Sequence, residues 1–365
     1  MRRSAPIPLL EAPERQAARH TVAPVQPALD TLGRPLANLR ISVTDRCNLR
    51  CAYCMPEEEY RWLPKEHLLR FEELARLARV FAGLGVHKVR LTGGEPLLRH
   101  DLHELVRLLA AIPGLDDIAL TTNGLLLAEQ AEALASAGLQ RITVSLDTLR
   151  ADVFERLTRR SGLERVLAGI EVAARLWPDR VKLDMVVMRG TNEGETLALL
   201  DFARERGLEL RFIEYMDVGG ATRWSPQAVV SRAELLAQVE SRHGSIEPLA
   251  EHSSAPAERF RLRDGTVFGI IASTTAPFCS RCDRARLTAD GMWYLCLYAR
   301  LGLDLRELLR GGASDAAISE RLRATWTRRA DRGAELRLEE LARGPLVGLD
   351  ALRRDPHLEM HTRGG

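Results

Sequence analysis

No run of apolar residues in this sequence approaches the ~20 that a membrane-spanning helix needs, which excludes a helical integral membrane protein. An excess of one charge is missing too. The 52 basic and 50 acidic residues leave a formal net charge of +2, so the general footprint of a nucleic-acid binder is absent and an anionic ligand must meet a local basic cluster. Lysine is scarce: only Lys65, Lys88 and Lys182 occur, the other basic residues being arginine, a bias that GC-rich coding explains and that makes each lysine mildly informative. Residues 1–36 mix Pro, Ala and Arg with acids and lack an apolar stretch of signal-peptide length, and Arg2-Arg3-Ser4 is a poor twin-arginine signal. The expectation is a flexible N-terminal extension on a cytoplasmic protein without a membrane or nucleic-acid partner. What remains is an ordinary globular composition, 45% hydrophobic and 28% charged over 365 residues, with ample length for a core.

Strand-like runs occur at Leu39–Val43, Lys88–Thr92, Asp117–Thr121, Arg141–Leu146, Val181–Val187 and Glu209–Glu214. Between them, Phe71–Gly83, Asp101–Ala111, Ala128–Ala137, Leu163–Leu176 and Glu195–Glu205 repeat apolar residues at spacings of three and four, as helices with one buried face do. Six successive βα units imply an α/β fold with a parallel sheet, open or curled into part of a barrel. Polar signatures fall where strands end: Thr92-Gly93-Gly94-Glu95, Thr121-Thr122-Asn123-Gly124, Ser145-Leu146-Asp147 and Glu214-Tyr215-Met216-Asp217. Such ends are where βα folds place active sites. Beyond residue 218 the pattern changes to an irregular Gly219-Gly220 stretch, a helix near Arg232–Arg242, a loop at Ser253–Ala257, hairpin signals at Asp264-Gly265 and Asp290-Gly291, and an Arg-rich helical tail. The expected division is 1–36 as extension, 37–218 as βα unit and 219–365 as a smaller C-terminal region.

All six cysteines fall into two groups, Cys47-x3-Cys51-x2-Cys54 and Cys279-x2-Cys282-x13-Cys296. A disulfide framework does not suit a large chain without an export signal, so metal or cluster binding is the better reading. A structural zinc site normally takes four protein ligands, whereas an iron–sulfur cubane held by three cysteines keeps one iron open. Three plus three therefore reads as two clusters, with a zinc site completed by histidine as the alternative. If Asp290-Gly291 is a two-residue turn, Cys296 folds back opposite Ala285, three positions beyond Cys282, and joins the Cys279–Cys282 pair.

Cys47-Asn48-Leu49-Arg50-Cys51-Ala52-Tyr53-Cys54 after the first strand, with Gly93-Gly94-Glu95-Pro96 after the second, resembles the radical S-adenosylmethionine superfamily. The second triad, Arg284-Ala285-Arg286 and the terminal Gly364-Gly365 narrow the resemblance to the MoaA-type GTP 3',8-cyclase family of molybdenum cofactor biosynthesis, from about Leu39 to the C-terminus. It implies an incomplete (β/α)6 TIM-type barrel and a smaller C-terminal region carrying a second iron–sulfur cluster. Its implied cofactors are two 4Fe-4S clusters, the first on Cys47, Cys51 and Cys54 and the second on Cys279, Cys282 and Cys296, together with S-adenosyl-L-methionine at Tyr53, Gly94, Ser145 and Met216. Gly94 would let the backbone approach the methionine amino group. The open iron of the first cluster would chelate the cofactor, whose one-electron cleavage gives a 5'-deoxyadenosyl radical. That radical would abstract the ribose 3' hydrogen of GTP, and the carbon radical would attack C8 of guanine while the second cluster holds the base.

The resemblance also assigns GTP binding to Arg40, Arg90, Thr121, Lys182, Arg284, Ala285 and Arg286, and catalysis to Arg40, Gly364 and Gly365, the Gly-Gly tail reaching into the active-site channel. Arginine suits a triphosphate because its planar fork binds phosphate bidentately and stays charged. One departure is Asp184, where the family pattern after Lys182 leads one to expect Asn. Implied partners are GTP, a one-electron donor such as flavodoxin or ferredoxin, and cyclic pyranopterin monophosphate synthase as the next enzyme; a homodimer is left open. Two other readings stand beside this one: a radical S-adenosylmethionine enzyme acting on a peptide, which leaves the arginines and the Gly-Gly end unexplained, and a zinc-dependent binding module.

Overall fold

The computed structural model describes residues 27–250 and 253–364. Six parallel strands follow one another in space as in sequence: β1 (Asn38–Ser42), β2 (Lys88–Thr92), β3 (Asp117–Thr122), β4 (Arg141–Ser145), β5 (Val181–Val187) and β6 (Glu209–Glu214). They are connected by α1 (Phe71–Ala82), α2 (Leu102–Ala110), α3 (Leu127–Ser136), α4 (Ala151–Thr158), α5 (Leu163–Leu176) and α6 (Thr196–Glu205). The expected strands and helices recur within a residue or two of their expected bounds, because in each helix residues spaced three and four apart meet the sheet; Leu74, Leu77, Ala78 and Phe81 of α1 are all buried. Helix α4 was not expected. It has barely two turns, and its buried Val153, Phe154 and Leu157 are too short a pattern to stand out from the loop before α5.

Strand alternation builds the site. Leu39 and Ile41, Val89 and Leu91, Ile118 and Leu120, and Ile142 and Val144 are buried in the main hydrophobic core. Their neighbours on the other face are polar: Arg40, Arg90, Thr121, Thr143, Lys182, Asp184 and Arg211.

After α7 (Arg232–His243), the later strands are β7 (Glu247–Pro248), β8 (Glu258–Arg261), β9 (Val267–Ile271), β10 (Arg284–Leu287), β11 (Met292–Tyr294) and β12 (Leu303–Asp304). They extend the barrel sheet at both edges. Strand β9 pairs parallel to β6, and β10 parallel to β1, giving one unclosed sheet of 12 strands. Phe260, Phe268, Trp293 and Trp326 share one hydrophobic core with the barrel residues. Among the described residues no helix is long and apolar enough to cross a membrane.

Two expectations change. The Asp-Gly turns are three-residue loops: Leu262 N–H donates to Thr266 and Thr288 N–H to Met292, both at 2.9 Å, so Asp290-Gly291 is joined in its loop by Ala289. The Thr288 hydroxyl donates to Asp290 Oδ1 at 2.6 Å and accepts from Met292 N–H at 2.8 Å, and Gly291 takes the left-handed position at φ +93°. Arg286 then faces Tyr294, one residue off the expected register, and Cys296 lies beyond the paired strand and not opposite Ala285. The second change concerns the expected flexible extension, whose residues 1–26 lie outside the described residues. Residues 27–36 are folded: Ala28 and Leu36 are buried, Ala28 N–H donates to Leu84, and Leu29 bridges Pro35.

Candidate active site

A cavity of about 490 Å³ opens on the polar face of the barrel, and both cysteine triads line it. The first triad sits in the loop after β1, shaped by backbone bonds: Cys54 N–H and Met55 N–H donate to Cys51, and Arg50 N–H and Ala52 N–H to the end of α4 at Thr158 and Leu157. Leu49 N–H and Asn123 Nδ2 lie 3.4 and 3.9 Å from Cys47 Sγ. All six cysteines are free and partly buried. Burial pushes the Cys47 thiol up to about 11 and raises Cys51 and Cys54 as well, so these are thiols for which ligation would supply the charge compensation that water does not. Cys282 differs: burial is outweighed by Arg284 and Arg329, and its thiol is lowered. No three His, Cys, Asp or Glu side chains among the described residues converge on a single-ion site. Two groups of three cysteines that line one cavity, with Leu49 N–H and Asn123 Nδ2 beside Cys47 Sγ, fit iron–sulfur clusters that keep an open iron better than a four-ligand zinc site.

Tyr53, Gly94, Ser145 and Met216 line the same cavity. The Tyr53 hydroxyl donates to Asp147 Oδ2 at 2.8 Å, and burial lifts Asp147 to about 6. Gly94 has a reason of its own within the chain. A Cβ there would lie 2.3 Å from the Arg46 carbonyl, so the loop after β2 closes on the cysteine loop only if the residue is glycine. The adjoining Glu95 is buried, with burial raising it to about 7; it accepts from Leu97 N–H, Thr122 Oγ1 and Asn123 N–H at 3.0, 2.7 and 2.7 Å, tying the loops after β2 and β3 together.

Between the triads lies a basic floor set by register. Arg40 is the Cα partner of both Arg286 and Arg90, so three guanidinium side chains stand at one level on β10, β1 and β2. Burial, then neighbouring arginines, lowers Arg40 well below its usual value, Arg90 to about 9 and Arg286 to about 10. Cations destabilised in this way gain most from a multiply charged anion. Arg90 Nη1 donates to Thr121 Oγ1 at 2.9 Å and Thr143 Oγ1 at 3.1 Å. Lys182 lines the cavity and is tethered to Glu209 at 2.6 Å. Ala285 does not line it: alternation turns this side chain into the core while Arg284 and Arg286 face the cavity.

Three lining residues, Arg141, Arg211 and His361, carried no sequence signal that set them apart, and Lys88 had only the scarcity of lysine to mark it. Arg211 explains Asp184, gripping it with Nε–Oδ1 at 2.7 Å and Nη2–Oδ2 at 3.0 Å while reaching Thr143 Oγ1 at 3.3 Å. The strand spacing of Asp184 and Arg211, register partners on β5 and β6, could have suggested the pair.

The C-terminal segment closes the site. Gly364 O accepts from Arg286 Nη1 at 2.5 Å and from Arg40 Nη1 at 3.5 Å, so the chain end lies on the basic floor; Gly365 is outside the described residues. His357 latches this segment to the β10–β11 loop, its ring nitrogens 2.8 Å from Asp290 Oδ2 and 3.0 Å from Asp355 Oδ1. Burial would lower the imidazole, but the two carboxylates outweigh it and raise it above 6.5; for Asp290, burial is outweighed by His357, Thr288 and Arg306, and the carboxyl falls below 3.8. A raised histidine contributes fully below its unfolded value and is lost as pH rises through the folded one; a lowered aspartate contributes above its unfolded value and is lost on acidification. The His357–Asp290 latch is therefore expected to contribute most between about pH 4 and 6.5 and less above that window, whereas buried His361, lowered to about 3, opposes docking on acidification, so the latch is read as the difference between wild type and a His357 variant. Limited proteolysis at the C-terminus checks this, wild-type cleavage rising with pH relative to His357→Gln, in which the dependence is flattened.

Residues 41–203 match the Radical SAM superfamily, and residues 208–335 match the Molybdenum Cofactor Synthesis C family. The chain is 53% identical over 340 residues to GTP 3',8-cyclase 1 of Mycobacterium tuberculosis, covering 92% of this chain and 95% of that protein. It is 50% identical over 323 residues to the GTP 3',8-cyclase of Acidothermus cellulolyticus, covering 86% and 89%. In fold it is similar to Streptococcus suis SuiB bound to precursor peptide SuiA, with a TM-score of 0.57 at 17% identity over 83% of this chain and 66% of that one.

Proposed function

This chain belongs to the GTP 3',8-cyclases of the radical S-adenosylmethionine superfamily, and on that premise we propose how its residues divide the work. The reaction converts GTP to (8S)-3',8-cyclo-7,8-dihydroguanosine 5'-triphosphate, the first step of molybdenum cofactor biosynthesis. When bound, the two 4Fe-4S clusters and S-adenosylmethionine supply the one-electron chemistry and a ligation point for the substrate base.

The chain's own residues hold, orient and shield. Cys47, Cys51 and Cys54 would hold one cluster and Cys279, Cys282 and Cys296 the other, and Tyr53, Gly94, Ser145 and Met216, which line the same cavity, would contact S-adenosylmethionine. The triphosphate falls to Arg40, Arg90, Lys182 and Arg286, Thr121 fixing the Arg90 fork and Arg284 standing beside Cys282. Ala285 spaces the two arginines so that both face the cavity. The observation that supports this reading most is the level row Arg286–Arg40–Arg90, flanked by both cysteine triads in one cavity. The same reading places the protein in the cytoplasm, with a one-electron donor of the flavodoxin or ferredoxin type, cyclic pyranopterin monophosphate synthase as the next enzyme, and a homodimer as the assembly to test by sedimentation.

The test is anaerobic incubation of the reconstituted chain with GTP, S-adenosylmethionine and reductant, with the cyclised nucleotide as product. Arg286→Ala is expected to weaken GTP binding by about 1.5–3 kcal/mol, roughly ten- to hundredfold, the worth of a hydrogen bond to a charged group. Equilibrium dialysis with labelled GTP measures it. Unchanged binding in both Arg284→Ala and Arg286→Ala would remove these two arginines from the substrate site.

A further inference from the structure

The folded part of the N-terminal segment reaches the second cysteine triad. Asp30, Arg34 and Arg329 form a buried charge triad, their side chains 0, 2 and 1% exposed. Asp30 Oδ2 takes Arg34 Nε at 2.6 Å and Arg329 Nη1 at 3.4 Å. Asp30 Oδ1 accepts the N–H groups of Leu32 and Arg34, both at 2.9 Å, so the carboxylate also shapes its own turn. Each arginine grips one cysteine: Arg34 Nη1 donates to Cys279 O at 2.8 Å, and Arg329 Nη1 to Cys282 O at 2.8 Å. Arg329 Nη2 lies 3.6 Å from Cys282 Sγ, a hydrogen-bond distance for sulfur. Arg34 Nη2 is buried without a partner. Trp326 seals the group, its ring 4.5 Å from the Arg329 guanidinium and its Nε1 donating to Arg34 O.

The charges balance, because Arg329 Nε also takes Asp331 Oδ2 at 2.7 Å: two arginines meet two aspartates, and the Nη2 edge of Arg329 is left for the sulfur. A buried guanidinium that holds Cys282 by both its carbonyl and its sulfur, with the unpartnered Arg34 Nη2 in the same group, points to an anionic centre at Cys279, Cys282 and Cys296. We propose that Asp30, Arg34 and Arg329 are positioning residues of the second iron–sulfur cluster, holding two of its ligands and, through Arg329, stabilising its more negative, reduced form. The inference rests on the reading of the second triad as a cluster site. It also gives the segment before β1 a role: this turn helps to wall the second site.

The test uses the full chain carrying Cys47→Ala, Cys51→Ala and Cys54→Ala, so that the second cluster alone is observed. Adding Arg329→Met removes the charge and the S-directed donor, and the cluster's midpoint potential is expected to shift negative, with altered electron paramagnetic resonance g-values and faster iron loss to a chelator. Arg329→Lys keeps the charge without the fork and is expected to recover most of the potential while staying chelator-labile. Unchanged potential, g-values and chelation rate in both variants would overturn the proposal. So would loss of the second cluster together with the chain's cooperative unfolding transition in both variants, which would make the triad an element of general stability. Absence of iron and sulfide from the unmodified chain would instead sink the cluster reading itself.

Discussion

Replacing Cys47, Cys51 and Cys54 together by alanine is expected to remove roughly half of the iron and acid-labile sulfide and to abolish S-adenosylmethionine cleavage, leaving the second cluster in place. Apart from Leu49 N–H and Asn123 Nδ2 at Cys47 Sγ, the loop's shape rests on groups other than those sulfurs. Its bonds from Arg50 and Ala52 to α4, and from Cys54 and Met55 to Cys51, are all backbone, and Asn48 Oδ1 is held by Asn123 Nδ2 at 2.8 Å. Loss of the ligands therefore reads as loss of chemistry and not of fold. The thiols being replaced are held up by burial, Cys47 to about 11, so a bound cluster would supply the positive charge that burial withholds from a thiolate there. Anaerobic iron and sulfide analysis with a 5'-deoxyadenosine assay measures the outcome. Stoichiometric zinc without labile sulfide in the unmodified chain would end the two-cluster account.

Deleting Gly364 and Gly365 is expected to lower cyclisation of GTP by about 10²-fold or more, the loss that follows when reacting groups are displaced by about an ångström. Gly364 O sits between Arg286 and Arg40, within the row proposed to take the triphosphate, so on that proposal the tail and the substrate would share one set of guanidinium groups. The segment before it is firmly built. Arg363 Nη1 donates to Leu297 O at 2.9 Å, its guanidinium lies 4.1 Å from the Tyr294 ring, and His361 and Thr362 are buried. Gly364 itself has φ +66°, and a Cβ there would meet Thr92 Cγ2 at 2.2 Å, so Gly364→Ala is expected to reproduce much of the loss by pushing the end off the floor. The signature is the transfer of deuterium from 3'-labelled GTP into 5'-deoxyadenosine, expected to fall while both clusters remain. Wild-type transfer in the truncated chain would make the tail a passive terminus.

Periodicity and spacing within short stretches were legible from the residues alone. Helices α1 and α5 and strands β2, β5 and β6 lie where their apolar repeats put them, because each pattern is confined to one element and one buried face. The two cysteine groups and the Gly-Gly-Glu-Pro loop were legible for a similar reason, since ligands carried by one loop must be close in sequence. What the tertiary structure decided lies between elements. It placed Arg286, Arg40 and Arg90 on one level through the pairing of β10 with β1, brought Arg211 to Asp184, and slipped the Asp290 hairpin by one residue through the Thr288 hydroxyl. It also joined Asp30 to Arg329 across 299 positions, from a segment whose composition reads as a loose end. Nothing local marks such a residue, because an arginine in an arginine-rich chain looks alike whether solvated or buried. Its role is set by which strand becomes its neighbour and in which register, and those are properties of the packed sheet.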